Sequence, residues 1–260
     1  MKIAIVIPAR FGSKRLPGKP MVKVAGVSLL ERVWRIASAV QGVSGVYVAT
    51  DDQRVADHAA SFGAESIMTP TDVATGTDRA RAALHLMADK PDAVINLQGD
   101  AVLTPPWVVQ ALVDEFLADP DLSMVTAAVR CSWRQLAELQ ELKTHSPTSG
   151  TTVTMDKFGR ALYFSKQVIP YLRTQTFETP PVHRHIGIYG YSAEVLDHLA
   201  TLEQTPLELA EQLEQLRALE NGIPIKVALV DYSGRTHGSV DTPEDIPVVE
   251  EIIAREGELV

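Results

Sequence analysis

The stretch Ile3-Ala-Ile-Val-Ile-Pro-Ala-Arg-Phe-Gly-Ser-Lys-Arg-Leu-Pro-Gly-Lys-Pro20 decides the fold. Residues 3–7 form an unbroken apolar run of strand length, the pattern of a strand buried on both faces of a parallel sheet. The segment after it leaves the carboxyl end of that strand, where open α/β sheets bind ligands. It carries Arg10, Lys14, Arg15 and Lys19, two glycines and no acid. Backbone N–H groups exposed at glycine, flanked by Arg and Lys, suit the oxygens of a triphosphate. Two better-known phosphate loops are excluded. A Walker loop needs four residues between Gly and Gly-Lys, then Ser or Thr. Here Gly12 and Gly18 enclose five residues, and Pro20 follows Lys19. The dinucleotide pattern Gly-x-Gly-x-x-Gly is absent. The bland alternative is a solvated basic turn.

Outward from this segment, two element types alternate. Helical spacing over residues 28–39 follows, then a strand at 46–49 and a helix at 54–62. A short strand at 67–68, a helix at 78–87, a buried strand at 93–97 and a helix at 106–117 complete the series. This rhythm predicts an α/β fold: a three-layer, doubly wound, mostly parallel sheet. The rhythm then changes. A strand at 124–129 and a helix at 133–142 precede a hairpin of residues 151–155 and 161–164, turned by Asp156-Lys-Phe-Gly159. A strand at 186–191 and a helix at 193–199 follow, and residues 173–181 read as a loop. Leu209, Leu213, Leu216 and Leu219 predict one helix over 208–220, ended at Asn221-Gly222. A strand at 225–230 and a helix at 243–255 close the chain. We read residues 1–260 as one domain with a β-rich excursion at 145–192.

Composition bounds the partners. The 260 residues carry 24 Lys and Arg against 33 Asp and Glu, a formal charge of -9. That balance argues against non-specific nucleic-acid binding, which rests on excess cationic charge. A local cationic cluster still admits a small anionic ligand. The single cysteine, Cys131, excludes an intramolecular disulfide and suits a reducing, cytoplasmic compartment. No membrane span or signal peptide is expected, because the apolar runs are strand-length.

Residues 7–20 resemble the signature of the CMP-sugar synthetase family. Seven later segments agree with it in order and approximate spacing: Ala49-Thr-Asp51, Thr75-Gly-Thr-Asp-Arg79, Asn96-Leu-Gln-Gly-Asp100, Ala161-Leu-Tyr-Phe-Ser165, His185-Ile-Gly-Ile-Tyr-Gly-Tyr191, Leu213-Glu-Gln-Leu-Arg217 and Val240-Asp-Thr-Pro-Glu-Asp245. The match is nearest to the branch acting on 3-deoxy-manno-octulosonate (Kdo). It implies a nucleotide-diphospho-sugar transferase type of fold and transfer of CMP from CTP to a 2-keto-3-deoxy sugar acid, with release of pyrophosphate. It also implies Mg²⁺ and a homodimer. Nucleotide contacts are then expected from Ala9, Arg10, Arg15, Lys19, Thr77, Arg79 and Gln98. Asp100 and Asp241 would hold the metal and, with Arg10 and Lys19, carry catalysis. Lys166, His185, Tyr189, Glu214 and Gln215 would line the acceptor pocket, and the 145–192 excursion would serve acceptor binding and dimerisation.

Each assignment has a plainer rival. Asp241 before Thr242-Pro243 also reads as a helix N-cap, and Thr75–Arg79 as an ordinary helix start. Glu214 also reads as part of a solvated helix face, and Lys14 as a solvated cation. Three positions depart from the family pattern. Ala101 stands where Glu is usual, Thr154 where Lys is usual, and Lys166 where Arg is usual; Lys lacks the bidentate fork of Arg. These departures leave a phosphonate or an amino-sugar acid open as the acceptor. A non-catalytic nucleotide-binding regulator is the rival of another class. A metal-dependent glycosyltransferase is disfavoured, because Gln98-Gly-Asp100 lacks the first acid of Asp-x-Asp.

Overall fold

The computed structural model describes residues 1–13 and 15–260; Lys14 lies outside the described residues. The chain runs β1 (Ile3–Pro8), β2 (Lys23–Val24), β3 (Val27–Ser28), α1 (Leu29–Ser38), β4 (Gly45–Thr50), α2 (Gln53–Ser61), β5 (Glu65–Met68), α3 (Gly76–Leu86), β6 (Ala93–Asn96) and α4 (Pro106–Ala118). It continues through β7 (Met124–Arg130), α5 (Trp133–His145), β8 (Thr152–Met155), β9 (Ala161–Ser165), β10 (His183–Ser192) and α6 (Ala193–Leu199). It ends with α7 (Pro206–Glu211), α8 (Gln215–Glu220), β11 (Ile225–Leu229) and α9 (Asp245–Glu256). A single 3-10 turn at Lys19–Met21 and the small β2–β3 hairpin, neither expected from the sequence, carry the basic loop into α1.

The main sheet has the order β11-β7-β10-β6-β1-β4-β5, with β8 and β9 extending from β10. Pairings of β1 with β4 and β6, of β4 with β5, and of β7 with β11 are parallel. Strand β10 runs antiparallel to both β6 and β7. Helices cover both faces: one cluster packs Leu30, Val33, Leu112 and Phe116 over Ile3, Ile5 and Ile7, and the other packs Ala80, Ala83, Leu196 and Leu216 over Ala4 and Val6. This is the three-layer, mostly parallel α/β sheet that the strand–helix rhythm predicts.

Two expectations need correction. Part of the 145–192 excursion is not peripheral, because β10 sits inside the main sheet and only the β8–β9 hairpin projects from it. The helix expected over 208–220 is broken. Gln212 takes the left-handed conformation, φ 52°, and α7 and α8 turn on either side of it. The leucine spacing persists across the break, but Leu209 is exposed while Leu213 and Leu216 are buried. Local periodicity therefore concealed a tertiary bend.

Strand order also locates the ligand crevice. From β1 the chain winds outward to β4 and β5, then returns to the other side of β1 at β6. The loops after β1 and β6 therefore diverge at a topological switch point. They approach closely at Gly99, where an added Cβ would lie 2.9 Å from the Pro8 carbonyl oxygen.

Candidate active site

A cavity of about 430 Å³ opens at that switch point. Its walls include Ala9, Arg10, Arg15, Lys19, Arg79, Gln98, Asp100 and Asp241. Lys19 is placed by the 3-10 turn that follows Gly18, whose φ of 68° only glycine adopts without strain. Its ammonium donates to Asp100 at 2.7 Å and to Asp241 at 3.0 Å. Arg15 donates to the same Asp241 carboxylate at 2.9 Å. Two carboxylates far apart in the sequence thus converge on one cation. Arg10 is exposed at the mouth.

The N-cap reading of Asp241 fails. Its carboxylate faces Lys19 and Arg15, whereas Asp245 reaches back to accept from the Asp241 and Thr242 amides, both at 2.8 Å. Asp245 thereby holds Asp241 in place, and helix α9 begins only at Asp245. Burial opposes ionisation of Asp245, but those amides, the Thr242 hydroxyl and Lys19 outweigh it and lower its pKa below the usual carboxylate range.

The segment Thr75–Arg79 does begin a helix, through a capping box between Thr75 and Asp78. Gly76 abuts the amide of Gln98 and keeps the wall thin. Arg79 is buried and committed to structure, donating to Asp51 at 2.9 Å and to Thr69 at 2.5 Å. It reaches the cavity only as part of the wall. Thr77 does not line that cavity; its hydroxyl donates to Glu214 at 3.0 Å.

A second cavity, of about 270 Å³, is lined by Gly150, Thr151, Arg184, His185, Gly187, Tyr189, Leu213, Gln215 and His237. Asn96 joins the two sites: it pairs with Tyr189 in the sheet and accepts from Gln98 at 3.5 Å. The register of β10 against β7 slips between Ile186 and Tyr189, a bulge containing Gly187. Across it the rings of His185 and Tyr189 lie 5.4 Å apart. The Thr126 hydroxyl lies 2.8 Å from the Ile188 carbonyl and 2.9 Å from His185 Nε2. With its one proton given to the carbonyl, the hydroxyl accepts from Nε2–H, which leaves Nδ1 of His185 as an acceptor. Burial pushes the His185 imidazole down to about 3, so it is neutral at neutral pH. Burial also raises the Tyr189 phenol.

The bend at Gln212 turns Glu214 and Gln215 onto the amino end of α8. Glu214 is not on a solvated face: it is half-buried, and burial raises its pKa. Gln215 is 5% exposed, with its Nε2 unpartnered. Lys166 is held by its backbone, the amide donating to Glu211 and the carbonyl accepting from Lys143. Its charge helps to lower the His185 pKa, but it does not line the cavity. Of the three departures, Ala101 packs into the core, and the Thr154 hydroxyl lies 3.5 Å from the Tyr163 carbonyl. Arg184 and His237 were missed in the sequence. Arg184 precedes a recognised motif by one residue, and His237 sits alone in a Gly- and Ser-containing loop without periodicity.

A doubly wound α/β sheet with a cationic crevice at its switch point and a second polar cavity beside it defines a nucleotide-handling enzyme. A family model described as cytidylyltransferase matches residues 4–227. The chain is 52% identical over its full length to the full-length 3-deoxy-manno-octulosonate cytidylyltransferase of Maricaulis maris. It is 38% identical to the 8-amino-3,8-dideoxy-manno-octulosonate cytidylyltransferase of Shewanella frigidimarina, covering 95% of this chain and 96% of that one. A solved structure of CMP:2-keto-3-deoxy-manno-octonic acid synthetase complexed with CTP superposes with a TM-score of 0.87 at 37% identity, covering 98% of this chain and 100% of that one. The chain belongs to the cytidylyltransferase family.

Proposed function

We propose that the protein transfers CMP from CTP to 3-deoxy-manno-octulosonate, releasing pyrophosphate. The convergence of Asp100 and Asp241 on Lys19, inside the cationic cavity at the switch point, carries this reading. Such transfer is mostly positioning and charge neutralisation. Arg10, Arg15 and Lys19 neutralise the triphosphate, and Lys19 or Arg10 stabilises the charge that grows on the leaving pyrophosphate. Ala9 and Gln98 shape the wall between nucleotide and acceptor. His185, Tyr189 and Gln215 line the acceptor side, with Glu214 behind them.

Asp100 and Asp241 are the residues that would hold Mg²⁺. Two carboxylates that share one cation suit a hard ion completed by phosphate and water. Among the described residues no cluster of three or more His, Cys, Asp or Glu side chains offers an all-protein cage. Bound there, the ion would neutralise phosphate charge and help align the sugar hydroxyl.

The relatives named for the 8-amino sugar acid support a second reading, in which the acceptor carries an amine. A homodimer formed through the 145–192 excursion accompanies either reading, as does a cytoplasmic setting suited to the buried Cys131 thiol. No helix among the described residues is long and apolar enough to cross a membrane.

The test is pyrophosphate release from CTP and Mg²⁺ over a panel holding the Kdo acid, its 8-amino analogue and a phosphonate. Turnover with the Kdo acid supports the proposal, and turnover with the phosphonate alone moves the acceptor elsewhere. CTP binding without pyrophosphate from any acceptor favours the non-catalytic regulator.

A further inference from the structure

The acceptor cavity holds two buried polar atoms without protein partners, Nε2 of Gln215 and Nδ1 of His237. They come from different elements. Gln215 opens α8, and His237 lies in the loop between β11 and Asp241. A buried polar atom left unpaired is costly, and such atoms at a cavity wall point to a ligand group that completes them. An amide Nε2 only donates, so its partner must accept. Burial and the neighbouring Arg184 push the His237 imidazole down to about 4. It is therefore neutral at neutral pH, with one nitrogen to donate and one to accept. A hydroxyl satisfies both sides, accepting from Gln215 while exchanging a hydrogen bond with His237. An ammonium cannot accept from Gln215.

We propose that His237 is a specificity-determining residue of the acceptor cavity, selecting with Gln215 an uncharged hydroxyl of the sugar acid over an ammonium in the same place. The surrounding charges favour the same choice. Arg184 lines the cavity, and both Arg184 and Lys166 act electrostatically on its histidines. Of the nearby acids, Glu211 accepts from the Ser165 hydroxyl at 2.7 Å and from the Lys166 amide, and Glu214 accepts from Thr77 and acts electrostatically on Tyr189; neither lines the cavity. Arg184 thus sets a fixed positive charge in the cavity wall beside two neutral imidazoles. The inference rests on the transferase reading and narrows its acceptor to the hydroxylated acid.

The test measures kcat/KM with saturating CTP for 3-deoxy-manno-octulosonate and for its 8-amino-3,8-dideoxy analogue. It uses the full chain and its His237→Ala and His237→Asn variants. The unaltered protein is expected to favour the hydroxylated acid by at least about tenfold, since sites built for a hydrogen bond discriminate strongly. His237→Ala should lose about tenfold or more on that acid and narrow the ratio, with KM for CTP within about twofold. His237→Asn, which keeps a donor and an acceptor, should recover part of the loss. An unchanged ratio in His237→Ala, or equal losses on both acids, overturns the proposal. Absence of pyrophosphate from the unaltered protein with either acid overturns the transferase reading instead. Calorimetric titration of the acid itself then reads the cavity: weaker binding to His237→Ala supports the assignment, and equal or absent binding refutes it.

Discussion

Lys19 ties the nucleotide cleft together, because its ammonium is the shared partner of Asp100 and Asp241. Replacing Asp100 with Ala removes one of the two carboxylates proposed to hold the metal and leaves the other paired to Lys19 and Arg15. Turnover is expected to fall at least about 100-fold, the scale of losing one group that stabilises transition-state charge. CTP affinity should change far less, because Arg10, Arg15 and Lys19 remain. Pyrophosphate-release kinetics beside CTP calorimetry checks both halves, and near-normal kcat in Asp100→Ala would end the metal assignment. At this scale the sequence was legible where charge was locally one-sided. Four cations without an acid stand out in a chain of net charge -9. It was not legible where partners meet only in three dimensions. The Asp51–Arg79 ion pair diverts Arg79 into the wall, and the Thr77–Glu214 bond leaves Thr77 outside the lining of the switch-point cavity.

Elements decide how these residues are presented. Arg54, near the start of α2, stacks 3.6 Å from the Phe11 ring centroid while forming a two-bond fork with Asp52. Phe11 belongs to the basic loop, and its carbonyl accepts from Ser13 and Gly18. Arg54 therefore braces the loop without lining the cavity. An exposed cation–π contact contributes about 0.5–1 kcal/mol, so Arg54→Ala should raise KM for CTP about two- to fivefold with little change in kcat. A KM within error of the parent would show that the loop stands unaided. The bend between α7 and α8 is tested at Gln212. Left-handed backbone costs a non-glycine residue about 1–2 kcal/mol, most for β-branched side chains. Gln212→Gly should leave stability within about 1 kcal/mol of the parent, since relief of strain offsets the added freedom of the unfolded chain. Gln212→Val should lose more than about 1 kcal/mol and raise KM for the acceptor, because the bend aims Gln215. Denaturant melts beside acceptor kinetics distinguish the two. Strands β1, β4 and β6 were legible as apolar runs because both their faces are covered. The bend was not, because Leu213 and Leu216 keep helical spacing through it.

Across the whole molecule, the second cavity makes stability sensitive to acid. His185 and His237 are held near 3 and 4 by burial, against about 6.5 in the unfolded chain. Between about pH 6.5 and 4 the unfolded state binds more protons, so stability falls as pH drops, by up to about 1.4 kcal/mol per unit for each histidine. Above that window neither contributes a slope. Melting temperatures from pH 7.5 to 4.5 should decline across the window, and less steeply in His237→Asn; identical slopes would contradict the linkage. The layered α/β architecture was legible over the whole chain, but the place of β10 was not, because its pairing with β6 and β7 is non-local. That placement also bears on biogenesis. Strand β7, complete at Arg130, has neither sheet neighbour until β10 and β11 have been synthesised. At ordinary ribosomal rates β10 follows roughly 3–10 s later, and through that interval both edges of β7 stay open to other chains. The nascent polypeptide is thus most prone to mispairing in mid-synthesis, and a chaperone that engages it should do so before the centre of the sheet is closed.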